Sequence, residues 1–464
     1  MSKVVKSLKE AISLAGLKDG MTISFHHHLR NGDQVLNLVL QNISDLGIKN
    51  LTVNASSIFN VHAPLIRHIE DGVVTGIETA YIGGVVGQAI SGGILGKPVK
   101  FFTHGGRPAL LENGSSHIDV AFVAAPSADG MGNCSGKDGM SACGSLGYAF
   151  TDIKYAKTAI VVTDNLLPYP LPDFSLCETY IDYVVVVDNI GDPSGIMSGT
   201  TQISRDPVGL KIAENTADVI QHLSYFKEGF SFQAGAGSIS LAVSQKLRQI
   251  MLDHKIVGSF VMGGITKQHV EMLRDGCFKA LLDVQCFDSY AVNSLRSDVG
   301  HVEVDVSHYA NPLMKSNIVD SLDVAILGAT EIDTDFNVNV HTNFNGVIMG
   351  GSGGHSDVAA GAKVTIIVAP LIRSRMGVIV DKVIVKSTPG RTIDILVTQR
   401  GIAVNPARPD IKEQLQDCNL MEIEELKHIS DKITGVPNKL MVTDKVVADI
   451  VYRDGSIMDK IFQG

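Results

Sequence analysis

The chain reads as an α/β protein of two similar halves built on mainly parallel sheets. Three observations predict this. Short β-rich runs alternate with amphipathic stretches of helical length, a spacing that needs crossover connections between parallel strands. The run Val184-Val185-Val186-Val187 is continuously β-branched, as in a strand covered on both faces. The alternation then restarts after a break near residues 190–228, which divides the chain into 1–225 and 226–464 and points to a duplicated architecture.

The N-terminus, Met1 to Lys6, leads into a short amphipathic stretch rather than an apolar signal core. Strands are expected at Met21–Phe25, Asn50–Asn54, Val99–Thr103, Val120–Ala124 and Ala159–Thr163, with a helix over Asp33–Leu46. The segment Asn189–Pro207 is rich in Gly, Pro, Ser and Thr and continues neither pattern. A helical period resumes over Val208–Leu223. The second half then opens with strand-like Phe230-Ser231-Phe232, a glycine turn, a helix from about Ile239 to Leu252, and a strand over Val257–Met262. Later come Val324–Leu327, a strand-like run from Ala325 to Val340, and Lys363–Val368.

Composition narrows the classes. With 464 residues, 45% hydrophobic and 19% charged, the chain can bury two or three cores. A net charge of −10 argues against nucleic acid or an anionic membrane surface, so an anionic substrate needs a locally cationic pocket. No uninterrupted apolar run approaches the roughly 18 residues of a membrane span. The six cysteines (Cys134, Cys143, Cys177, Cys277, Cys286 and Cys418) form no C-x-x-C pair. That disfavours structural zinc or a redox dithiol and points to reduced thiols in a cytoplasm.

Several motifs can carry chemistry. In Gly350-Gly351-Ser352-Gly353-Gly354-His355-Ser356-Asp357, four glycines let backbone amides approach an anion or a carbonyl oxygen gaining charge. Gly235-Ala236-Gly237-Ser238 opens a helix, where free amides and the helix dipole make an anion or oxyanion cradle. A dinucleotide fingerprint is a poor match, because Ser240 stands where the third glycine belongs and the next strand ends in Met262-Gly263-Gly264. Gly263-Gly264 lies at a strand end, where α/β proteins place ligands. In His26-His27-His28-Leu29-Arg30, successive side chains point to opposite faces, so a shared metal is not expected. His28 and Arg30 instead suit a carboxylate, with Arg30 as the forked donor, and His104-Gly105-Gly106-Arg107-Pro108 has the same character. Glu331 and Asp333 fit catalysis or structural pairing.

Together these residues resemble the citrate lyase alpha-subunit family over nearly the whole chain. The resemblance rests on Asp19 to His28, Ile118 to Pro126, Ile190-Gly191-Asp192-Pro193-Ser194-Gly195-Ile196 and Gly350 to Asp357. More broadly the chain is similar to the CoA-transferase superfamily, which implies two related α/β domains with the active site between them. The resemblance implies that Gly235, Ala236, Gly237 and Ser238 hold the thioester carbonyl; the residues themselves extend the expected thioester or CoA site to Gly263, Gly264, Gly350, Gly351, Ser352, Gly353, Gly354 and His355 and offer His28 and Arg30 for citrate, and the chemistry needs no metal. Most of the superfamily has a nucleophilic glutamate about twenty-five residues after the glycine loop, where this chain has Gly263-Gly264. Glu112-Asn113-Gly114 reproduces the string around that glutamate, but in the wrong half, and reads as a coincidental turn.

The activity implied is transfer of a carrier thiol from an acetyl thioester to citrate by direct carboxylate attack. The expected partners are a citryl lyase (beta) subunit and an acyl carrier protein (gamma) subunit, with self-association of the chain. A CoA-like phosphopantetheine group on the carrier, or acetyl-CoA, supplies the thiol. The alternatives are a glutamate-dependent CoA-transferase acting on a small monocarboxylate such as acetate, and a non-catalytic sensor of acyl thioesters.

Overall fold

Two parallel sheets carry the chain, and both follow from the alternation of apolar strands and amphipathic helices. The structure is a computed structural model that describes residues 2–197, 202–435 and 442–464. The predicted linker Asn189–Pro207 therefore includes four positions, 198–201, outside the described residues.

The first sheet has ten strands in the order Val4–Val5, Tyr183–Val186, Ala156–Thr163, Ile118–Ala125, Thr22–Phe25, Leu51–Ala55, Val74–Thr79, Val99–Phe101, Val446–Val451 and Ile457–Phe462. All neighbouring pairs are parallel except the last, a terminal hairpin. The second sheet has eight: His301–Glu303, Phe278–Cys286, Gly258–Ile265, Phe232–Ala234, Val324–Gly328, Val364–Val368, Ile395–Val397 and Ile402–Val404. Here too only the final pair is antiparallel. The fold class is thus the one predicted.

Sequence order and sheet membership part company at one place. The hairpin 446–462 returns to the first sheet, pairing Ala448 with Val99 and Ile450 with Phe101, although a simple cut in sequence puts it in the second half. Its buried residues Val447, Ala448, Ile450 and Ile461 explain why: they cover an edge that would otherwise present unpaired backbone. The run from Ala325 to Val340 is likewise three short strands, Val324–Gly328, Glu331–Asp333 and Val338–Asn339, with the last two in a separate small sheet. Val184 and Val185 are fully buried as their run predicts, whereas Val186 at the strand end is 44% exposed.

Local signals set the helix ends. Asp33 accepts from the amides of Val35 and Leu36, so the predicted helix begins at Val35. Asp206 caps the helix Pro207–His222, with proline at its first position. The helix Ser238–His254 differs, since its N-cap is Gly237 and no side chain bonds its first amides.

The halves meet through close backbone contacts. Thr103 pairs with Gly353 as an isolated bridge, and the His104 amide donates to the Gly353 carbonyl at 2.8 Å. Gly147 packs so tightly that a Cβ there would lie 2.6 Å from the carbonyl oxygens of Val284 and Val304. Gln285 adds a bond from Nε2 to the His27 carbonyl at 3.1 Å. The strand ends of both sheets are thereby held against one another.

Candidate active site

A cavity of about 730 Å³ lies where the two sets of strand ends meet. The first half contributes Tyr81, His104 and Tyr148; the second contributes Gln233 to Ser240, Gly264, Phe287, Tyr309 and Arg373, among others. Among the described residues, none of those lining it is an aspartate or glutamate.

Its floor is the start of the uncapped helix. Gly235 spends its amide on the Ile326 carbonyl at 2.9 Å, while Ala236, Gly237 and Ser238 follow at the helix N-terminus without a side-chain cap. A Cβ on Gly235 or Gly237 would meet nothing closer than 3.5 Å and 3.9 Å respectively, so packing does not demand glycine here. Free amides and the helix dipole converge on this spot.

The loop at Gly350 to Gly354 works differently. A Cβ on Gly351 would sit 2.1 Å from the Ala80 oxygen, one on Gly350 would sit 2.5 Å from the Val340 oxygen, and one on Gly354 would sit 2.4 Å from the Tyr309 hydroxyl. The Gly350, Ser352 and Gly353 amides donate to His341 and Ala80 within the protein. Gly351 is therefore required for tight seating between the halves, whereas Gly350 and Gly354 pack against the second half's own residues, and among the described residues only Gly351 and Gly354 of this loop keep amides for a ligand. Gly350, Gly351, Ser352, Gly354 and His355 line the cavity; Gly353 does not, its φ of +50° turning it against His104. His355 bonds Thr388 Oγ1 at 2.7 Å and the Gly328 carbonyl at 2.9 Å, and burial pushes its pKa down to about 4. It is a neutral wall residue.

At the other predicted strand end, Gly264 lines the cavity and Gly263 does not. A β-bulge separates them. Gly263 has φ +100°, and a Cβ on Gly264 would fall 2.0 Å from the Phe287 ring. Phe287 fills the space a longer side chain at Gly264 would need.

Arg30 stands beside that ring. Its guanidinium carbon lies 4.7 Å from the Phe287 centroid and 5.5 Å from that of Phe59. Nη1 is buried and has no hydrogen-bond partner among the described residues. Burial lowers its pKa, offset by the neighbouring Tyr81 and Tyr148. The residue adopts φ +50°, a conformation held by the Ile190–Ile196 segment: a Cβ on Gly32 would meet the Asp192 oxygen at 1.9 Å, and the Asp192 amide donates to the Gly32 carbonyl. That packing gives the Gly-Asp-Pro-Ser-Gly string its structural meaning.

His28 departs from its predicted role. It is fully buried, with Nδ1 2.6 Å from His26 Nδ1 and Nε2 accepting from the Tyr148 amide at 3.4 Å, so both ring nitrogens are engaged behind the wall. Burial drives its pKa well down. Arg107 is also unavailable, bonding Asn54 and Asp152. His104 does reach the cavity, with its pKa depressed to about 3 by burial and then by Arg107. Glu331 and Asp333 lie elsewhere, bonded to Asn339 and Asn337. Glu112 is exposed at a helix end and accepts from Asn311 Nδ2 at 2.9 Å. Sequence reasoning missed Tyr81, Tyr148, Tyr309, Phe287 and Arg373, of which only Arg373, in the string Arg373-Ser374-Arg375, carried a readable charge signal.

Two facing, mainly parallel sheets whose strand ends meet at a cavity are the fold of the CoA-transferases. A 4-hydroxybutyrate CoA-transferase from Porphyromonas gingivalis shares it at TM-score 0.60 and 17% identity, covering 93% of this chain and 96% of that one. The family model for the citrate lyase alpha subunit matches residues 1–464. The citrate lyase alpha chain of Escherichia coli (strain K12) is 46% identical over 463 residues, 99% of this chain and 91% of its own length. A Streptococcus mutans structure described as an alpha subunit of citrate lyase in complex with citrate superposes at TM-score 0.98 with 48% identity, covering 100% of this chain and 91% of that one. The chain belongs to the citrate lyase alpha-subunit family and is an enzyme.

One carboxylate ties the site to the fold. Asp357 accepts from Thr103 Oγ1 and the Gly105 amide, both at 2.8 Å, with Arg453 Nε at 3.6 Å. Burial raises its pKa from 3.8 to about 6, outweighing Arg453 and the two bonds. The folded state therefore binds this proton more tightly than the unfolded chain. The resulting stabilisation is full below pH 3.8 and is lost as pH rises through about 6. In Asp357→Asn, Tm measured from pH 3.5 to 7 should fall less steeply with pH than in the parent. Identical slopes would remove Asp357 from this linkage.

Proposed function

We propose that the chain transfers the thiol of an acetyl thioester to citrate, giving a citryl thioester and acetate, with no acyl intermediate on a protein carboxylate. The observation that carries this reading is a cavity that, among the described residues, has a partnerless guanidinium beside it and no acid in its lining. Family membership and the citrate in the S. mutans relative support it.

The amides of Ala236, Gly237 and Ser238 receive the thioester oxygen as it gains charge, in surroundings where such donors act strongly. Arg30 holds one citrate carboxylate through its free Nη1, stiffened by Phe59 and Phe287. A second citrate carboxylate attacks the acetyl carbonyl and expels the thiolate, leaving an acetyl–citryl anhydride. The thiolate then attacks the citryl carbonyl and acetate departs. His104 and His355 remain neutral and shape the wall. The thiol belongs to the phosphopantetheine-type arm of an acyl carrier protein, or to CoA in its place. A separate lyase subunit in the same assembly would consume the citryl thioester.

Carboxylate exchange with acetyl-CoA tests the reading: citrate should outcompete acetate and succinate as acceptor, and equal use of acetate would contradict it. Gly237→Val should fold normally, since the nearest atom lies 3.9 Å from its Cβ, yet lose about a hundredfold or more in kcat. Wild-type turnover would remove this loop from the reacting centre. Arg30→Met should raise the citrate KM about ten- to a hundredfold with little change for acetyl-CoA. The reverse pattern would put Arg30 on the path of the thiol arm.

A further inference from the structure

We propose that the hairpin Ile372–Gly377 binds the phosphate-bearing end of the thiol arm, with Arg373 as its specificity-determining contact. The inference rests on the transferase reading above and extends it to the part of the thioester remote from the reaction.

Arg373 lines the cavity and is half-buried. Its Nη1 donates to the Ala329 carbonyl at 2.9 Å, and burial alone lowers its pKa, with no carboxylate among the described residues near enough to oppose that. A guanidinium withdrawn from water without a counter-ion is costly unless a ligand brings the anion. The hairpin is built to hold it there. Ile372–Arg373 pairs with Met376–Gly377, and the two turn residues, Ser374 and Arg375, both adopt left-handed φ, +51° and +67°. The turn sets a second arginine, Arg375, exposed at the tip.

Sheet order gives the arm its direction. The amide loop follows Phe232–Ala234, which lies between Gly258–Ile265 on one side and Val324–Gly328 on the other. Gly264, Phe287 and Arg30 belong to the first side; Ala329, Val368 and Arg373 belong to the second. Strands stand about 4.8 Å apart, so the end of Val364–Val368 is about 10 Å from the amide loop. Citrate and the arm thereby approach the thioester from opposite sides. The phosphates of a pantetheine arm sit at the end far from its sulfur, and a forked guanidinium suits them. In a chain of net charge −10, no general field draws in such a polyanion.

The test compares acetyl-CoA with acetyl-pantetheine, which has the same thioester and arm but neither the phosphates nor the adenosine, using the full chain at saturating citrate. In Arg373→Gln the ratio of kcat/KM for acetyl-CoA to that for acetyl-pantetheine should fall about ten- to a hundredfold, and Arg373→Lys should restore part of it. Arg375→Gln should lower the ratio less, and added salt should lower it in the parent. An unchanged ratio in Arg373→Gln, or a raised citrate KM in its place, overturns the assignment. If Arg373→Gln does not fold, Arg375→Gln and the salt dependence decide, a flat ratio in both being the negative result. If the parent transfers neither thioester to citrate, the transferase reading itself fails. Equilibrium binding of CoA against pantetheine to parent and variant then judges the hairpin separately.

Discussion

Everything in this molecule's chemistry depends on how closely the Gly350–Gly354 loop sits against the strand ends of the first sheet. With Gly351 closer to the Ala80 carbonyl than any side chain allows, and Thr103 bridged to Gly353, the second half is anchored at backbone precision. The segment through Gly147 fixes the opposite flank against Val284 and Val304. Between these two seams the C-terminal ends of both sheets face one cavity. Interfaces of this kind do not deform continuously, so the distance between Arg30 on one half and the amide loop on the other is set by packing.

That geometry explains the choice of residues inside. A helix whose first turn is left uncapped gives up the stabilisation a Ser or Asp would contribute, about 1 kcal/mol, and keeps its amides for a ligand. The aromatic ring of Phe287 occupies the room beside Gly264 and at the same time backs Arg30. One side chain thus accounts for both the missing acid and the stiffened cation. With no carboxylate lining the cavity among the described residues, the proposed mechanism assigns the attack to the acceptor's own carboxylate.

Much of the framework was legible in the sequence because period and composition report directly on burial. Val184-Val185, the helix after Asp33 and the helix after Gly237 fall where alternation and capping put them. The return of 446–462 to the first sheet was not legible, since nothing in a terminal hairpin names its partner strand. Glycine carried two meanings that sequence cannot separate. At Gly237 it leaves amides open, whereas at Gly351 it permits a backbone collision-free approach. Histidine was over-read for a similar reason, since a residue type that suits an anion also suits a buried bond such as that between His28 and His26. Tyr148, Tyr309 and Phe287 gave no signal, because aromatic residues at element ends are indistinguishable from core until the tertiary contacts are formed.

The central claim is that citrate, and not a protein side chain, attacks the acetyl thioester. Single-turnover transfer with citrate labelled by ¹⁸O in its carboxylates tests it most directly. In direct attack, the acetate released in the first turnover carries one labelled oxygen from citrate. An acyl intermediate on a protein carboxylate would give unlabelled acetate in that turnover, its oxygen drawn from the enzyme, and would contradict the account.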